Sequence, residues 1–216
     1  MLSNVLFDLD GTLTDSQEGV IKCFQYAIKE LGQLYYNESE IMNLIGVPIR
    51  SIFQKLLDSK DNDLINKAIS LYRERFTEVG IFENKVYPGI PELLAALFKN
   101  SYRLDIVTLK PKEDAERIAK HFSFDKWIQS IYGPNLRGYP ESKIQLIESA
   151  ITDSILIPNE TAIVGDRKED IIAGKTNGII TIGVTYGYGS KEEIVAADPD
   201  YICDSPHKVQ QSILNH

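Results

Sequence analysis

The chain has 216 residues, 43% hydrophobic and 25% charged, with a formal net charge of −8, so it can bury a substantial core in one domain with a large insertion or in two modest domains. The negative balance argues against a broad phosphate-tracking surface for nucleic acid or an anionic membrane, and no run approaches the roughly 18 apolar residues of a membrane span. The start, Met1 to Asn4 and then Asp8, has neither the basic nor the apolar stretch of a signal peptide, and Cys23 and Cys203, far apart and without metal-ligand spacing, fit a reduced cytoplasmic compartment.

Val5 to Phe7 is a short apolar run that reads as a buried strand. Ser16 then opens and Gly32 closes a helix with one apolar face of Val20, Ile21, Phe24, Ala27, Ile28 and Leu31. A shorter helix is expected over Glu38 to Leu44, after Asn37. Pro48 opens another, with Ile49, Ile52, Phe53 and Leu56 on one face. Leu64, Ile65, Ala68, Ile69, Tyr72 and Phe76 form a third face, which Gly80 ends. No strand-like run interrupts residues 16–83, which read as an all-helical insertion.

Tyr87-Pro88-Gly89 marks re-entry into the main domain. The runs Leu104 to Val107, Ala162 to Val164 and Ile179 to Ile182 read as buried parallel strands, being Val- and Ile-rich and without polar alternation. Ser130 to Tyr132 and Tyr201 to Ile202 are weaker strand candidates. Between them, Pro91, Pro111 and Pro140 each suit a first helical turn. Asn177-Gly178 stops a helix over Lys168 to Thr176, and Ser190-x-x-Glu193 forms a capping box. The expected fold is an α/β doubly wound, Rossmann-like parallel sheet from residues 1–15 and 84–216, carrying the helical insertion 16–83.

Three apolar runs end in polar groups: Val5-Leu6-Phe7 in Asp8, Asp105-Ile106-Val107 in Thr108, and Ile163-Val164-Gly165 in Asp166. Ligands of open α/β sheets bind beyond the carboxyl ends of the strands, so these groups are expected to share one cleft. Asp8-Leu9-Asp10-Gly11-Thr12 places two carboxylates one residue apart at a strand exit, a costly arrangement without a positive partner. A hard divalent cation is the natural one, although Asp and Gly are also ordinary turn residues. Asp170, in the first turn of the next helix, equally fits compensation of the helix dipole. Thr108 alone would pass for a helix cap and Lys143 for a solvated lysine. His121, His207 and His216 carry no role, Trp127 reads as packing near the sheet edge, and Tyr35-Tyr36 as a surface or substrate contact.

In this order, Asp8-x-Asp10-Gly11-Thr12, Thr108 with Lys110-Pro111, Lys143, and Gly165-Asp166 with Asp170 resemble the haloacid dehalogenase-like hydrolases, phosphatase branch, over essentially the whole chain. Gly46-Val47-Pro48-Ile49-Arg50, Val86-Tyr87-Pro88-Gly89 and Gly187-Tyr188-Gly189-Ser190 are similar to the phosphoglycolate phosphatase-like group, which includes enzymes acting on phosphoglycolate or 5′-nucleotides. Leu109 departs from the small or polar residue often found after the motif threonine.

The resemblance implies a magnesium-dependent phosphatase for a small phosphorylated metabolite, with residues 16–83 as a cap domain. Asp8 would be the nucleophile, and Asp10 the acid and then the base. Asp8, the Asp10 carbonyl and Asp166 would hold Mg2+, with Asp170 orienting one of its waters. Thr108 and Lys143 would bind the phosphoryl group, and Arg50 would reach a second anionic group of the substrate. The partners implied are a small molecule and at most a second copy, as monomer or homodimer, with neither nucleic acid polymer nor membrane. A phosphomutase of the β-phosphoglucomutase kind shares these motifs. A phospho-receiver or a non-catalytic binding protein is the more remote alternative.

Overall fold

Six parallel strands build the main sheet in the order β5-β4-β1-β6-β7-β8. They are β1 (Asn4–Phe7), β4 (Arg103–Val107), β5 (Ser130–Tyr132), β6 (Thr161–Gly165), β7 (Ile180–Val184) and β8 (Tyr201–Cys203). Both weaker strand candidates therefore form, at the two edges. The structure is a computed structural model that describes residues 1–33, 38–42, 49–136, 139 and 142–216. The expectations for Tyr35-Tyr36, Gly46-Val47-Pro48 and Pro140, and for the C-terminal end of the helix expected over Glu38 to Leu44, lie outside the described residues.

The strands are short apolar runs because both sheet faces are covered. Val5, Leu6, Phe7, Ile106, Val107, Ile163 and Val164 are all fully buried. One face packs Leu6, Val107 and Ile163 against Leu146, Ile147 and Ala150 of α7 (Lys143–Asp153) and Ala173 of α8 (Lys168–Thr176). Elsewhere α5 (Ile90–Lys99) packs against α10 (Pro206–Leu214), while α6 (Lys112–His121) and α9 (Lys191–Ala197) complete the connections. The chain builds β4 and β5 on one side of β1 and β6, β7 and β8 on the other, so the order reverses at β1. This is the α/β doubly wound fold.

Local signals act largely as expected. Pro91 lies in the first turn of α5. Gly178, at φ +66, ends α8, with the Ile179 N–H donating to the Gly174 carbonyl. Two expectations need correction. Pro111 precedes α6 in an extended conformation (ψ 134) instead of entering its first turn. The capping box at α9 is half made: Ser190 Oγ accepts from the Glu193 N–H, but the Glu193 carboxylate accepts from Arg167 Nε at 2.9 Å. A charged donor is the stronger partner for a carboxylate.

By chain contacts the molecule divides into residues 1–15 with 86–216, and residues 16–85. The second unit contains α1 (Gln17–Glu30), α2 (Glu38–Met42), α3 (Ile49–Leu56) and α4 (Asn62–Glu78). Two-residue strands β2 (Thr14–Asp15) and β3 (Lys85–Val86), too short to leave a sequence pattern, pair where the chain leaves and rejoins the sheet. Within the helical unit, α1 and α3 pack on α4 around Phe24, Phe53, Tyr72 and Phe76. Glu83 anchors its end by accepting from Arg75 at 2.7 and 3.0 Å. Phe53 is fully buried and meets both Phe24 and Tyr72, so Phe53→Ala should cost about 3–5 kcal/mol. Urea unfolding followed by far-ultraviolet circular dichroism measures this, and a loss below about 1 kcal/mol would show that the helices do not depend on this cluster.

Candidate active site

The site grows from the carboxyl ends of the three central strands. Asp8 follows β1, Thr108 follows β4 and Asp166 follows β6, and because β4-β1-β6 are neighbours these groups emerge side by side. Asp170 joins them from the first turn of α8, and Lys143 from the start of α7, where Ser142 Oγ accepts the Gln145 N–H. All five are buried. Lys143 Nζ lies 2.5 Å from Asp8 Oδ1 and 2.8 Å from Asp170 Oδ1. One oxygen each of Asp8, Asp166 and Asp170 falls within a set whose members all lie within 4.8 Å of one another.

Asp166 is fixed from several directions. Its Oδ1 accepts from the Thr12 hydroxyl at 3.1 Å, and its Oδ2 from the N–H groups of Tyr188 and Gly189 at 2.8 and 3.3 Å. Glycine permits this closeness: a Cβ at Gly11 or Gly187 would collide with the Asp166 side chain, and one at Gly189 with the Asp166 carbonyl. Gly11 also holds φ at +89, where a side chain is strained. Gly165 leaves room in the same way for Asp170, whose Oδ2 accepts the Arg167 N–H at 3.1 Å. Asp170 thus both caps α8 and joins the cluster. The loop is tied back by Tyr186, whose hydroxyl donates to the Thr12 carbonyl at 3.1 Å.

The electrostatics are those of a site short of positive charge. Burial pushes the Asp8 carboxyl up to about 8, against the pull of Lys143 and with added repulsion from Asp170 and Asp166. Burial, then Asp170, raises Asp166 to about 6 despite the donors around it. Burial by itself would lower the Lys143 ammonium, but Asp170 and Asp8 outweigh it and hold it above the usual lysine range. Three buried carboxylates thus face one ammonium. An all-oxygen donor set with excess negative charge fits a hard divalent cation such as magnesium.

Beside this cluster, Asp10 Oδ2 lies 2.9 Å from Lys110 Nζ, and Asp10 Oδ1 is buried with no hydrogen-bond partner among the described residues. Thr108 donates its N–H to the Tyr132 carbonyl at 2.9 Å, and its hydroxyl oxygen accepts the Lys110 N–H at 3.2 Å. Carboxylates and a threonine thus emerge at the ends of the neighbouring strands β4, β1 and β6, with a buried lysine from α7.

The family model described as haloacid dehalogenase-like hydrolase matches residues 5–184. The chain belongs to that family. A 5′-nucleotidase of Pseudomonas aeruginosa is 37% identical over 99% of this chain and 96% of its own length. A phosphoglycolate phosphatase of Vibrio parahaemolyticus is 30% identical over 93% and 91%. A crystal structure from Clostridium difficile, assigned as a phosphatase, superposes with a TM-score of 0.91 at 38% identity, covering 98% of each chain. This haloacid dehalogenase-like hydrolase is therefore an enzyme, a phosphatase. Among its described residues no helix is long and apolar enough to cross a membrane.

Of the residues singled out in this hydrolase's sequence, Asp8, Asp166, Asp170 and Lys143 meet directly, and Asp10 and Thr108 flank them on the adjoining loops. Arg50 lies on α3 in the helical unit, exposed, with Nη2 2.6 Å from Asn66 Oδ1 and Nη1 3.4 Å from Asn62 Oδ1. It ties α3 to α4. Leu109, between Thr108 and Lys110, is exposed. Sequence reasoning gave no role to the Thr12 hydroxyl, to Lys110, or to the Gly187–Gly189 backbone. The alternating glycines of Gly187-Tyr188-Gly189 were the available signal.

Because the folded-state pKa values of Asp8 and Asp166 lie above ordinary carboxylate values, the folded chain holds protons that the unfolded chain releases. Their contribution to stability is present in acid and is lost as pH rises through about 6 and then about 8. In chelator-containing buffer the urea midpoint should fall between about pH 5 and about pH 9. A flat or rising midpoint would show that these carboxylates are not destabilised by burial.

Proposed function

We propose that this phosphatase hydrolyses small phosphomonoesters of the phosphoglycolate or 5′-nucleotide class through an aspartyl phosphate on Asp8, with magnesium as cofactor. The observation that carries this reading is the convergence of Asp8, Asp166 and Asp170 within 4.8 Å at the strand ends, with Lys143 on Asp8. The names of the 5′-nucleotidase and phosphoglycolate phosphatase relatives support the substrate class.

In this reading Asp8 attacks the phosphorus in line while Asp10 gives its proton to the departing ester oxygen. Asp10 then takes a proton from the water that hydrolyses the acyl phosphate. The Thr108 hydroxyl and the Lys143 ammonium meet the equatorial phosphoryl oxygens, the main electrostatic task of the reaction. Asp8, the Asp10 carbonyl, Asp166 and Asp170 are the groups that would hold magnesium or its waters. When bound, magnesium supplies positive charge toward the phosphoryl oxygens and the carboxylates. Residues 16–83 serve as the cap that excludes water and reads the leaving group.

A phosphate-release screen with magnesium against phosphoglycolate, 5′-nucleotides, sugar phosphates and pyrophosphate tests the substrate class, and release without a sugar acceptor separates hydrolysis from a mutase. Asp8→Asn should lower turnover by about 10⁴-fold or more with circular dichroism unchanged. Near-normal turnover would remove Asp8 from its role, and undiminished activity after exhaustive chelation would remove the metal. Asp166→Ala should weaken magnesium binding, read by calorimetry, more than Asp170→Ala.

Arg50 gives a separate test. Arg50→Ala should raise KM for the preferred substrate several-fold if its guanidinium meets a second anionic group there, and leave a plain aryl phosphate unaffected. An equal loss on both substrates, reproduced by Asn66→Ala, assigns it to the α3–α4 tie alone.

A further inference from the structure

We propose that Lys110 is the positioning residue for Asp10, holding one carboxyl oxygen so that the other faces the leaving group. The inference rests on the reading of Asp10 as the acid. Lys110 follows β4 and Asp10 follows β1, the adjacent strand. The Lys110 side chain is only 8% exposed, and Nζ sits 2.9 Å from Asp10 Oδ2. Burying an ammonium is costly unless it is paired, so this lysine is placed by its carboxylate and the carboxylate by its lysine.

The backbone around Lys110 leaves it little freedom. Its N–H donates to Thr108 Oγ1 at 3.2 Å, the Thr108 N–H is held by the Tyr132 carbonyl at 2.9 Å, and the Lys112 N–H by the Pro134 carbonyl at 2.8 Å. A Cβ at Gly133 would press on the Lys110 carbonyl at 2.6 Å. The segment from Thr108 to Lys112 is thereby pinned to the chain leaving β5.

Asp10 Oδ2 faces the ammonium, whereas Oδ1 is buried and has no hydrogen-bond partner among the described residues. With Oδ2 engaged by the Lys110 ammonium, Oδ1 is the oxygen left to exchange a proton with the leaving group. During transfer the bond from Asp8 to phosphorus forms, the bond from phosphorus to the ester oxygen breaks, and that oxygen takes the Oδ1 proton. Negative charge then appears on Asp10, facing an ammonium that keeps its own proton throughout. Such stabilisation is greatest where charge develops in a site sheltered from water.

The test compares kcat/KM, which reports the steps through leaving-group departure, for two esters. One is a dinitrophenyl phosphate, whose leaving group departs without a proton. The other is the alkyl phosphate that the wild type turns over fastest, whose leaving group requires one. Asp10→Asn should lose about a hundredfold more on the alkyl than on the aryl ester. Lys110→Met should show the same selectivity at about tenfold, and Lys110→Arg should recover most of it. Selective loss in Asp10→Asn with equal losses on both esters in Lys110→Met would overturn the role of Lys110 and leave Asp10 as the acid. No selectivity in Asp10→Asn would overturn the acid assignment itself, and the inference with it.

Discussion

Three carboxylates and one ammonium share a buried volume at the end of the sheet, and much of the architecture exists to make that tolerable. Like charges this close repel, and burial raises the cost. The chain meets it with Lys143 between Asp8 and Asp170, and with backbone and hydroxyl donors on Asp166. Each device requires its element in register: β1 for Asp8, β6 for Asp166, α7 for Lys143 and α8 for Asp170. The parallel sheet is the frame that brings these distant segments to one edge.

The cluster also explains where the glycines fall. Gly11 and Gly187 face the Asp166 side chain, Gly189 its carbonyl and Gly165 the Asp170 carboxyl, each with no space for a methyl group. The Tyr188 and Gly189 N–H groups reach Asp166 Oδ2 at 2.8 and 3.3 Å because Gly187 and Gly189 put no side chain in the way. Two loops from opposite ends of the sequence thus close on one carboxylate. The resulting site is preorganised by the main chain, which resists relaxation better than side chains do.

Much of the fold was legible because its signals are local. Apolar runs of β-branched residues marked β1, β4, β6 and β7, and 3.6-residue periodicity with Gly32 and Gly178 at the ends marked helices. The meeting of Asp8 and Asp166 was legible because each directly follows an apolar strand and the strands of such a sheet end on one edge. Lys110 was harder to see: a lysine in a loop is ordinarily solvated, and only the tertiary approach of β4 to β1 buries it. Arg50 shows the opposite case. Its placement after Pro48-Ile49 suggested recognition, while its partners Asn62 and Asn66 lie on a helix whose position depends on packing. Side-chain partners across elements are set by tertiary geometry, which periodicity does not encode.

Of the strands in the main sheet, β1 is made before the others. Asn4 pairs in register with Arg103 on one side and Thr161 on the other. On a ribosome adding about 5–20 residues per second, β1 therefore emerges several seconds before either neighbour exists. During that interval Val5-Leu6-Phe7 is an unpaired apolar template, while the whole helical segment is synthesised behind it. A longer run would invite pairing with other nascent chains. Here it is cut short after Phe7 by Asp8 and Asp10, charged residues of the kind that guard aggregation-prone strands. Asp8 and Asp10, proposed as nucleophile and acid, are thus also placed to guard the unfinished chain.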